Sequence, residues 1–506
     1  MKYTPEQHKA IVTTGEHISV SAGAGSGKTR VLVDRIVHLL EHEDVPLSEI
    51  VAITFTRKAA SEMKERLRAA CYAKAPDDDA VKMDRWRDIL HQIDTARITT
   101  IDSFCSGLLR EHALWMQDDP DYALMSESDM VLLPKAIAQK TLVALLDQQD
   151  EVALHTAITL GITQTVDLVV GLLKKPNLHD TLLAYADSEV EDIAQQWNES
   201  IRTFIEKESH LFLGRVNVLD TAIDDPQHKY EHCRVLLGEL FSGIVSHQAE
   251  ETLAPLASTI AEFGFGGARI RKTFDPTLYE DLKELCKEAK TFVQSFVEPY
   301  LGAESTEASA QLTRDLAVLY RHVFNAYQTH KRSHSVKDFS DLLRDALTLL
   351  DTQPKIRKQI AGSIRHLMID EFQDTNPAQW AMAQRLMQTD TQAGPELFIV
   401  GDAKQSIYRF RNADVAVFQE AQRHTTPPIL LNKNFRTLPN VMDGINRFFA
   451  RSHRLKTVAD PWESLEAHRP KAKDERLLFL LNTVPNKTLA HLQRQSEADR
   501  IADQIF

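Results

Sequence analysis

The chain is poor in glycine and lacks any long apolar run. Only 18 of its 506 residues are glycine, which indicates a high helical content. No stretch reaches the ~20 apolar residues that a membrane-spanning helix needs, and the first residues contain no apolar signal core. Repeats and low-complexity tracts are also missing from the sequence. These absences exclude membrane-spanning and repeat classes and predict a cytoplasmic globular protein.

Cysteines are few and widely separated. The chain contains Cys71, Cys105, Cys233 and Cys286, and no two of them have the short spacing of a metal-binding pair. This excludes a zinc or iron–sulfur site made from cysteines on sequence grounds, and it predicts reduced thiols.

Basic charge is not in excess, since the net charge is −13. This argues against a protein that is coated in basic surface. Nucleic-acid binding needs only a local basic groove, so the total charge leaves that question open. The length predicts about three domains.

A phosphate-binding pattern stands near the start of the chain. Residues 21–29 (SAGAGSGKT) follow a short apolar run at 17–20 and precede an amphipathic segment at 31–36. In a strand, turn and helix of this kind, backbone N–H groups wrap the phosphates of ATP, Lys28 reaches the terminal phosphates and Thr29 coordinates Mg²⁺. The residues predicted to line this P-loop are Ala22, Gly23, Ala24, Gly25, Ser26, Gly27, Lys28 and Thr29.

Strand and helix patterns alternate in two separate parts of the chain. Apolar runs at 17–21, 50–55 and 97–101 predict strands of a parallel sheet with crossover helices. From about 107 to about 332 the pattern is helical, and buried-strand patterns return at 365–370 and 396–401. The sequence therefore predicts one α/β domain that is split by a helical insertion.

Two carboxylates follow the first returning strand. Asp370 and Glu371 lie at the carboxyl end of that strand, where α/β sheets bind ligands. We expect Asp370 to hold Mg²⁺ through its water shell, and Glu371 to orient and deprotonate the water that attacks the γ-phosphate. An acidic turn that only solvates the strand end is the alternative, and the P-loop favours the functional interpretation.

Six motifs in this order resemble those of the UvrD-like superfamily 1 DNA helicases. They are residues 22–29, 53–60, 100–104, 370–374, 401–411 and 434–436. The insertion and the segment 100–105 (TIDSFC) are most similar to the helicase–nuclease branch of the AddA and RecB type. The resemblance covers about residues 3–445.

That family implies a particular domain organisation. It predicts a RecA-like P-loop domain 1A with a parallel sheet, a large all-helical insertion 1B, and the beginning of a second RecA-like domain 2A, whose first strand is expected at 429–432. The predicted boundaries are 1–110 and 333–425 for 1A, 111–332 for 1B, and 426–506 for 2A.

The resemblance also implies further contacts with the nucleotide. Gln7 matches the position that reads the adenine edge, Arg30 flanks the nucleotide, and Phe435 stacks on the base. Gln405 resembles the γ-phosphate sensor that links hydrolysis to the DNA groove. Arg436 resembles the arginine that crosses from the second motor domain to neutralise charge on the transferring phosphoryl group.

The same resemblance implies contacts with single-stranded DNA. Aromatic rings offer bases of any sequence a stacking surface worth about 1–3 kcal/mol each, and arginines hold the phosphates. Burial of Phe55, Phe104 and Phe410 in the core is the alternative. The predicted DNA-contacting residues are Phe55, Thr56, Arg57, Ser103, Phe104, Tyr408 and Phe410.

Two departures from the family pattern qualify this interpretation. Asp102 stands where many relatives carry histidine, and an ionised carboxylate there repels DNA phosphates. Beyond Arg436, no segment resembles the later family motifs, which supply a second arginine to the nucleotide. These observations predict an N-terminal portion of a longer protein that hydrolyses ATP only weakly.

The motifs together predict an ATP-dependent helicase or translocase on DNA. The family implies 3′ to 5′ movement on single-stranded DNA and unwinding of duplex DNA. It also implies a role in a repair or recombination helicase–nuclease that includes a partner subunit and does not involve a membrane. The alternatives are a nucleotide-regulated protein for DNA binding or assembly, and a translocase that does not separate strands. The set of Lys28, Glu371, Gln405 and Arg436 favours a motor, because a scaffold needs no general base.

Overall fold

The chain leaves its first structural unit after Met125 and returns to it at Ser335. The computed structural model describes residues 3–74, 80–219, 225, 227–265, 275–301, 306–388, 394–407, 413–451 and 464–469. The first unit consists of Met1–Met125 and Ser335–Phe506, and the second consists of Ser126–His334.

Before the insertion, helices and strands alternate. The helices are α1 (Pro5–Val12), α2 (Lys28–His42), α3 (Arg57–Tyr72), α4 (Ala80–Gln92), α5 (Ile101–Glu111) and α6 (Ala113–Met116). The strands are β1 (Ile18–Ala22), β2 (Ile50–Thr54), β3 (Ile98–Thr100) and β4 (Ala123–Leu124).

In the part that the structure describes, the second unit is entirely helical. Its helices are α7 (Glu127–Asp147), α8 (Glu151–Leu160), α9 (Ile162–Leu173), α10 (His179–Asp187), α11 (Val190–Val218), α12 (Lys229–Val245), α13 (Glu250–Glu262), α14 (Pro276–Phe292), α15 (Glu298–Leu301) and α16 (Thr306–Ser333). The long helix α16 packs against α7, α8, α9, α10 and α11. Its residues join two apolar cores, while α12, α13 and α14 enclose a third.

After the insertion the alternation resumes. The strands are β5 (Val336–Lys337), β6 (His366–Ile369), β7 (Glu396–Gly401), β8 (Ile429–Leu431), β9 (Lys433–Asn434) and β10 (Glu466–Ala467). The helices are α17 (Phe339–Thr352), α18 (Pro354–Gly362), α19 (Pro377–Met387), α20 (Val415–Arg423) and α21 (Pro439–Arg451). Short 3-10 turns cover Phe372–Asp374 and Ala403–Gln405.

Six strands form one parallel sheet in the order β3, β2, β6, β7, β1, β8. The register pairs Ala52 with Ile98, Ile53 with Ile369, and Val20 with Val400. Strands β2 and β6 are buried along their whole length, as their unbroken apolar runs predict for a sheet covered on both faces. This sheet confirms the predicted α/β fold of the RecA-like type.

Successive residues of the central strands enter two different cores. Ile50 and Ala52 of β2 pack with helices α1, α2, α3 and α4 on one face. Val51 and Ile53 pack with α5, α17, α18, α19 and α20 on the other face. Because all six strands are parallel, their carboxyl ends lie at one edge, and the loops that follow β1, β2, β6 and β7 converge there.

The placement of β8 corrects one prediction. The segment 429–432 was expected to open a second α/β unit, but β8 pairs in parallel with β1 of the first sheet, with Val20 opposite Ile429. The apolar side chains of Ile429 and Leu431 complete the core beside β1, which explains why the strand joins this sheet. Beyond it, β9 and β10 form a separate two-stranded ladder.

The boundaries of the insertion also differ from the predicted 111–332. The second unit begins at Ser126 because the chain between α5 and that residue still belongs to the first unit. Tyr122 lies in the core under α5, and β4 pairs in parallel with β5.

Within the described ranges, no single helix is long and apolar enough to cross a bilayer. Only α8 and α9 taken together meet those criteria by length and composition, and they are bent by 106° at their junction.

Candidate active site

The turn between β1 and α2 is shaped to hold an anion. Gly25 and Gly27 have φ angles of 73° and 90°, in the left-handed region that glycine adopts without strain. Gly27 precedes α2 and has no side chain with which to cap it, and the first turn of α2 contains no acidic residue. The N–H groups of that turn and the positive end of the helix dipole therefore face the loop. This combination is typical of a phosphate-binding site.

Two side chains of the loop are buried. Ala22 is the last residue of β1 and pairs with Leu431, so the alanine that replaces the first glycine lies in the sheet and not in the turn. Ser26 is 1% exposed, and its hydroxyl has no hydrogen-bond partner among the described residues. A polar group left unsatisfied in this way fits a site that a polar ligand completes.

The acidic motif follows directly on β6. The Asp370 carboxylate is buried and accepts a hydrogen bond of 2.9 Å from the backbone N–H of Glu371. Glu371 itself has a φ angle of 49°, an uncommon left-handed conformation for a residue with a side chain. This conformation turns the chain sharply at the end of β6.

The P-loop and the acidic motif meet in the structure. The Lys28 Nζ atom lies 2.7 Å from Glu371 Oε2, although the two residues are 343 positions apart in the sequence. The Lys28 side chain is 10% exposed and that of Glu371 is 38% exposed, so the contact lies at the edge of the interior. The distance is that of a charge-assisted hydrogen bond.

Two further carboxylates, those of Asp370 and Asp374, interact electrostatically with Lys28 and Glu371. Burial and the neighbouring Glu371 raise the pKa of Asp370 to about 6. The same two causes raise the pKa of Asp374 to about 6, and its Oδ1 atom has no hydrogen-bond partner in the described part of the chain. Such a set is short of positive charge. Carboxylate and hydroxyl oxygens are ligands that Mg²⁺ prefers, so Asp370 and Thr29 fit this ion.

Gln405 belongs to the same edge of the sheet. It ends the 3-10 turn that follows β7, and its Nε2 atom donates a hydrogen bond of 2.8 Å to Asp402 Oδ2. The backbone N–H of Asp402 donates to Gln373 Oε1 at 2.8 Å, and Gln373 Nε2 donates to Glu371 Oε2 at 2.8 Å. A continuous hydrogen-bonded chain therefore joins Gln405 to the carboxylate that contacts Lys28.

The segment after β8 lies against the P-loop. Asn434 Nδ2 donates to Ala24 O at 2.6 Å, and the backbone N–H of Phe435 donates to Gly25 O at 2.9 Å. A β-carbon on Gly25 would lie 2.8 Å from Cβ of Arg436, so the loop and this segment are in close contact. The structure thus brings Arg436 to the loop that precedes Lys28.

Comparison with known proteins agrees with this arrangement. A family model described as the UvrD/REP helicase N-terminal domain matches residues 3–426. The chain belongs to this helicase family. The match includes the P-loop, the acidic motif and the whole helical insertion, and it confirms the resemblance to UvrD-like helicases.

Similar proteins from three bacteria are named as subunits of an ATP-dependent helicase/nuclease. The chain is 28% identical to that of Lactobacillus delbrueckii subsp. bulgaricus in an alignment of 490 positions that covers 89% of this chain and 40% of the relative. It is 29% identical to that of Natranaerobius thermophilus, covering 89% and 38%, and 30% identical to that of Exiguobacterium sibiricum, covering 89% and 40%. This UvrD/REP family chain thus spans about two fifths of the length of these relatives.

Gln7 and Arg30 of this UvrD/REP family chain lie beside the loop. Gln7 is buried, and its Nε2 atom donates to Ser26 O at 3.0 Å while its Oε1 atom accepts from the backbone N–H of Thr4. Arg30 lies over the ring of Tyr3, 5.0 Å from its centroid. The carboxamide of Gln7 thereby supports the loop directly, and its predicted contact with adenine stays a prediction.

The predicted DNA-contacting residues of this UvrD/REP family chain fall into two groups. Thr56 and Arg57 are exposed at the beginning of α3. Phe55, which follows β2, and Ser103, in the first turn of α5, are half-buried. Phe104 is 6% exposed and packs in the core between the sheet and α17, so its assignment to DNA is wrong. Aromatic rings next to strand ends are buried more often than not, and this one follows that rule.

The remaining predicted residues of this UvrD/REP family chain are Tyr408, Phe410 and Phe435. Tyr408 and Phe410 are outside the described residues. The centroid of the Phe435 ring lies 4.7 Å from that of the His468 ring.

The sequence interpretation missed Gln373, although this residue stands within the acidic motif. Its position in the sequence could have indicated a bridging role. Gln373 is an uncharged side chain with both donor and acceptor atoms, and it stands among three carboxylates in residues 370–374.

Proposed function

We propose that this chain is an ATP-driven motor that moves along single-stranded DNA and unwinds duplex DNA during repair or recombination. The contact of 2.7 Å between Lys28 Nζ and Glu371 Oε2 is the observation that carries the proposal. Phosphoryl transfer to water needs a cation at the phosphates and a group that orients the attacking water. The contact places a candidate for each, Lys28 and Glu371, side by side. A protein that only binds nucleotide needs the lysine but no general base, so the pair favours a motor over an assembly factor.

The roles follow from the positions of the side chains. Lys28 exchanges its contact with Glu371 for the terminal phosphates when ATP enters the loop. Glu371 then orients the attacking water and accepts its proton. Thr29 and Asp370 would hold magnesium, which supplies positive charge beside the phosphates. Arg436, next to Gly25, stabilises the charge that develops on the transferring phosphoryl group.

DNA binds along the same carboxyl edge of the sheet in this proposal. Arg57 is exposed at the beginning of α3, where its guanidinium can meet a phosphate, and Phe55 offers part of its ring to a base. We assign the same stacking role to Tyr408 and Phe410. Contacts of this kind do not read sequence, as a motor requires.

We further propose movement in the 3′ to 5′ direction, a cytoplasmic location and work alongside a second protein of a complex. The family match supports the direction. The relatives are named as parts of a helicase/nuclease, which supports the partner.

ATP hydrolysis tests the central proposal. Lys28→Ala and Glu371→Gln should each abolish the hydrolysis that single-stranded DNA stimulates, while Lys355→Ala, at an exposed position on α18, should leave it unchanged. Binding of a fluorescent ATP analogue separates the two variants, because only Lys28→Ala removes a phosphate ligand. Normal turnover in either variant would contradict the assigned roles.

Strand displacement distinguishes a helicase from a translocase. Partial duplexes with a single-stranded tail at the 3′ or the 5′ end should be separated only when the tail is at the 3′ end. Hydrolysis without separation of either duplex would favour a translocase, and separation from the 5′ tail alone would refute the direction.

A further inference from the structure

One buried side chain connects the acidic motif to the turn after β7. Gln373 is 2% exposed, and both ends of its carboxamide are engaged. Its Nε2 atom donates to Glu371 Oε2 at 2.8 Å, and its Oε1 atom accepts from the backbone N–H of Asp402 at 2.8 Å. No other common side chain of this length and shape offers a donor at one end and an acceptor at the other.

The surroundings are built to receive this carboxamide. Gly401, the last residue of β7, faces it with no side chain, and a β-carbon there would lie 2.8 Å from Gln373 Oε1 and 3.2 Å from its backbone nitrogen. The glycine therefore leaves the space that the glutamine occupies. The hydroxyl of Ser406 also donates to the backbone carbonyl of Gln373 at 3.2 Å. The bridge is thus held from three directions.

The bridge ends on the carboxylate that the proposed reaction uses. Glu371 Oε2 accepts from Gln373 Nε2 and also contacts Lys28 Nζ at 2.7 Å. When Lys28 turns to the phosphates, the bond from Gln373 remains and keeps that oxygen in place. Glu371 Oε1 is then left to face the attacking water.

The opposite end of the bridge reaches Gln405. Asp402 presents its backbone N–H to Gln373 and its Oδ2 atom to Gln405 Nε2, each at 2.8 Å. A displacement of the 403–405 turn therefore moves the donor on which the Gln373 carboxamide rests. The segment that continues from this turn contains the residues assigned above to DNA.

We infer that Gln373 is a positioning residue that orients the Glu371 carboxylate and couples it to the turn containing Gln405. DNA that shifts this turn thereby alters the orientation of Glu371, which is a physical route for stimulation of hydrolysis. The inference rests on the proposed function, because it takes Glu371 as the group that orients the water.

The test compares two replacements in the full chain. Gln373→Met keeps the volume and removes the side-chain hydrogen bonds to Glu371, Asp374 and Asp402. Gln373→Glu keeps the acceptor for Asp402 and loses the donor to Glu371. Gln359→Met, at an exposed position on α18, is the matched control. Single-turnover hydrolysis of ATP is measured with and without a single-stranded oligonucleotide, and the Kd for ATP is measured by fluorescence.

Both Gln373 variants should hydrolyse ATP on the order of 10- to 100-fold more slowly with DNA, since small misplacements of a reacting group have effects of this size. Their Kd for ATP should stay within about threefold of the wild type, because the P-loop is untouched. DNA stimulation should fall towards a ratio of about 1. The rate losses of Gln373→Met and Gln405→Met should not multiply in the double variant, because both act through one connection.

Several results would overturn the inference. A wild-type rate in Gln373→Glu would show that donation to Glu371 is dispensable, and multiplying losses would show that Gln405 acts separately. If Gln373→Met fails to fold, Gly401→Ala displaces the same carboxamide and must reproduce the loss of DNA stimulation. Absence of hydrolysis in the wild type would refute the proposed function and this inference together, whereas normal wild-type hydrolysis with unaffected Gln373 variants would refute the inference alone.

Discussion

Replacing Gly25 by alanine tests the close contact between the P-loop and the segment after β8. The φ angle of 73° costs an alanine about 1–2 kcal/mol. The new β-carbon would also lie 2.8 Å from Cβ of Arg436 and 2.9 Å from Nδ2 of Asn434, so the segment must move. Loss of the hydrogen bond from Asn434 to Ala24 adds about 1 kcal/mol.

Gly15→Ala is the matched control for this prediction. Gly15 has a similar φ angle of 83°, and a β-carbon there meets no atom within 4 Å. The control therefore isolates the backbone strain, and the difference between the two variants measures the close contact. We expect Gly15→Ala to lower the free energy of unfolding by about 1–2 kcal/mol and Gly25→Ala by about 1 kcal/mol more.

The affinity for ATP should differ between Gly25→Ala and Gly15→Ala more than the free energy of unfolding does. Gly25→Ala distorts the loop that holds the phosphates, so its Kd for ATP should rise at least tenfold, a change of about 1.4 kcal/mol. Gly15→Ala should leave the Kd unchanged. Urea unfolding and titration with a fluorescent ATP analogue supply the two quantities. Equal effects of both variants on both quantities would refute the assignment of the contact.

Two further predictions concern buried side chains. The pKa of Asp370 is raised to about 6, so between about pH 4 and pH 6 the folded chain holds a proton that the unfolded chain releases. The contribution of this group to the free energy of unfolding is therefore complete below about pH 4 and is lost as the pH rises through 6. Asp370→Asn should therefore stabilise the nucleotide-free chain at pH 8 by roughly 1–3 kcal/mol in urea unfolding, and a gain as large at pH 4 would contradict this cause. Phe104→Ala should cost about 3–5 kcal/mol of stability, whereas Phe55→Ala should weaken single-stranded DNA binding by about 1–3 kcal/mol, as fluorescence anisotropy can measure. A loss of DNA affinity without a loss of stability in Phe104→Ala would restore its original assignment.

The strands of the sheet were predictable because buried parallel strands consist of unbroken apolar runs. The predicted run at 50–55 corresponds to β2, and the run at 396–401 corresponds to β7. The neighbour of each strand was not predictable, since an apolar run fits any position inside a sheet. This is why β8 was assigned to a second unit, although Ile429 and Leu431 fill the core beside β1.

The meeting of Lys28 with Glu371 follows from the same topology. Loops after parallel strands lie at one edge, so a P-loop after β1 and an acidic motif after β6 are brought together even though β7 lies between these strands. The bonds within the site were beyond such reasoning. The contacts of Gln373 with Glu371 and Asp402 depend on distances of 2.8 Å, and spacing along the chain does not determine them.

Glu371 shows most clearly why local pattern fails at the centre of the site. Glutamate has no preference for a φ angle of 49°, and residues held in such conformations cost on the order of 1–3 kcal/mol. Here the conformation is imposed by its neighbours: its N–H donates to Asp370, and its carboxylate accepts from Lys28 and Gln373. Two of these bonds form within the segment 370–373, and the third comes from Lys28, which lies 343 positions away and reaches Glu371 only after folding. The strain at Glu371 is therefore a property of the assembled site, and a side chain held in this way is already oriented before ATP and water arrive.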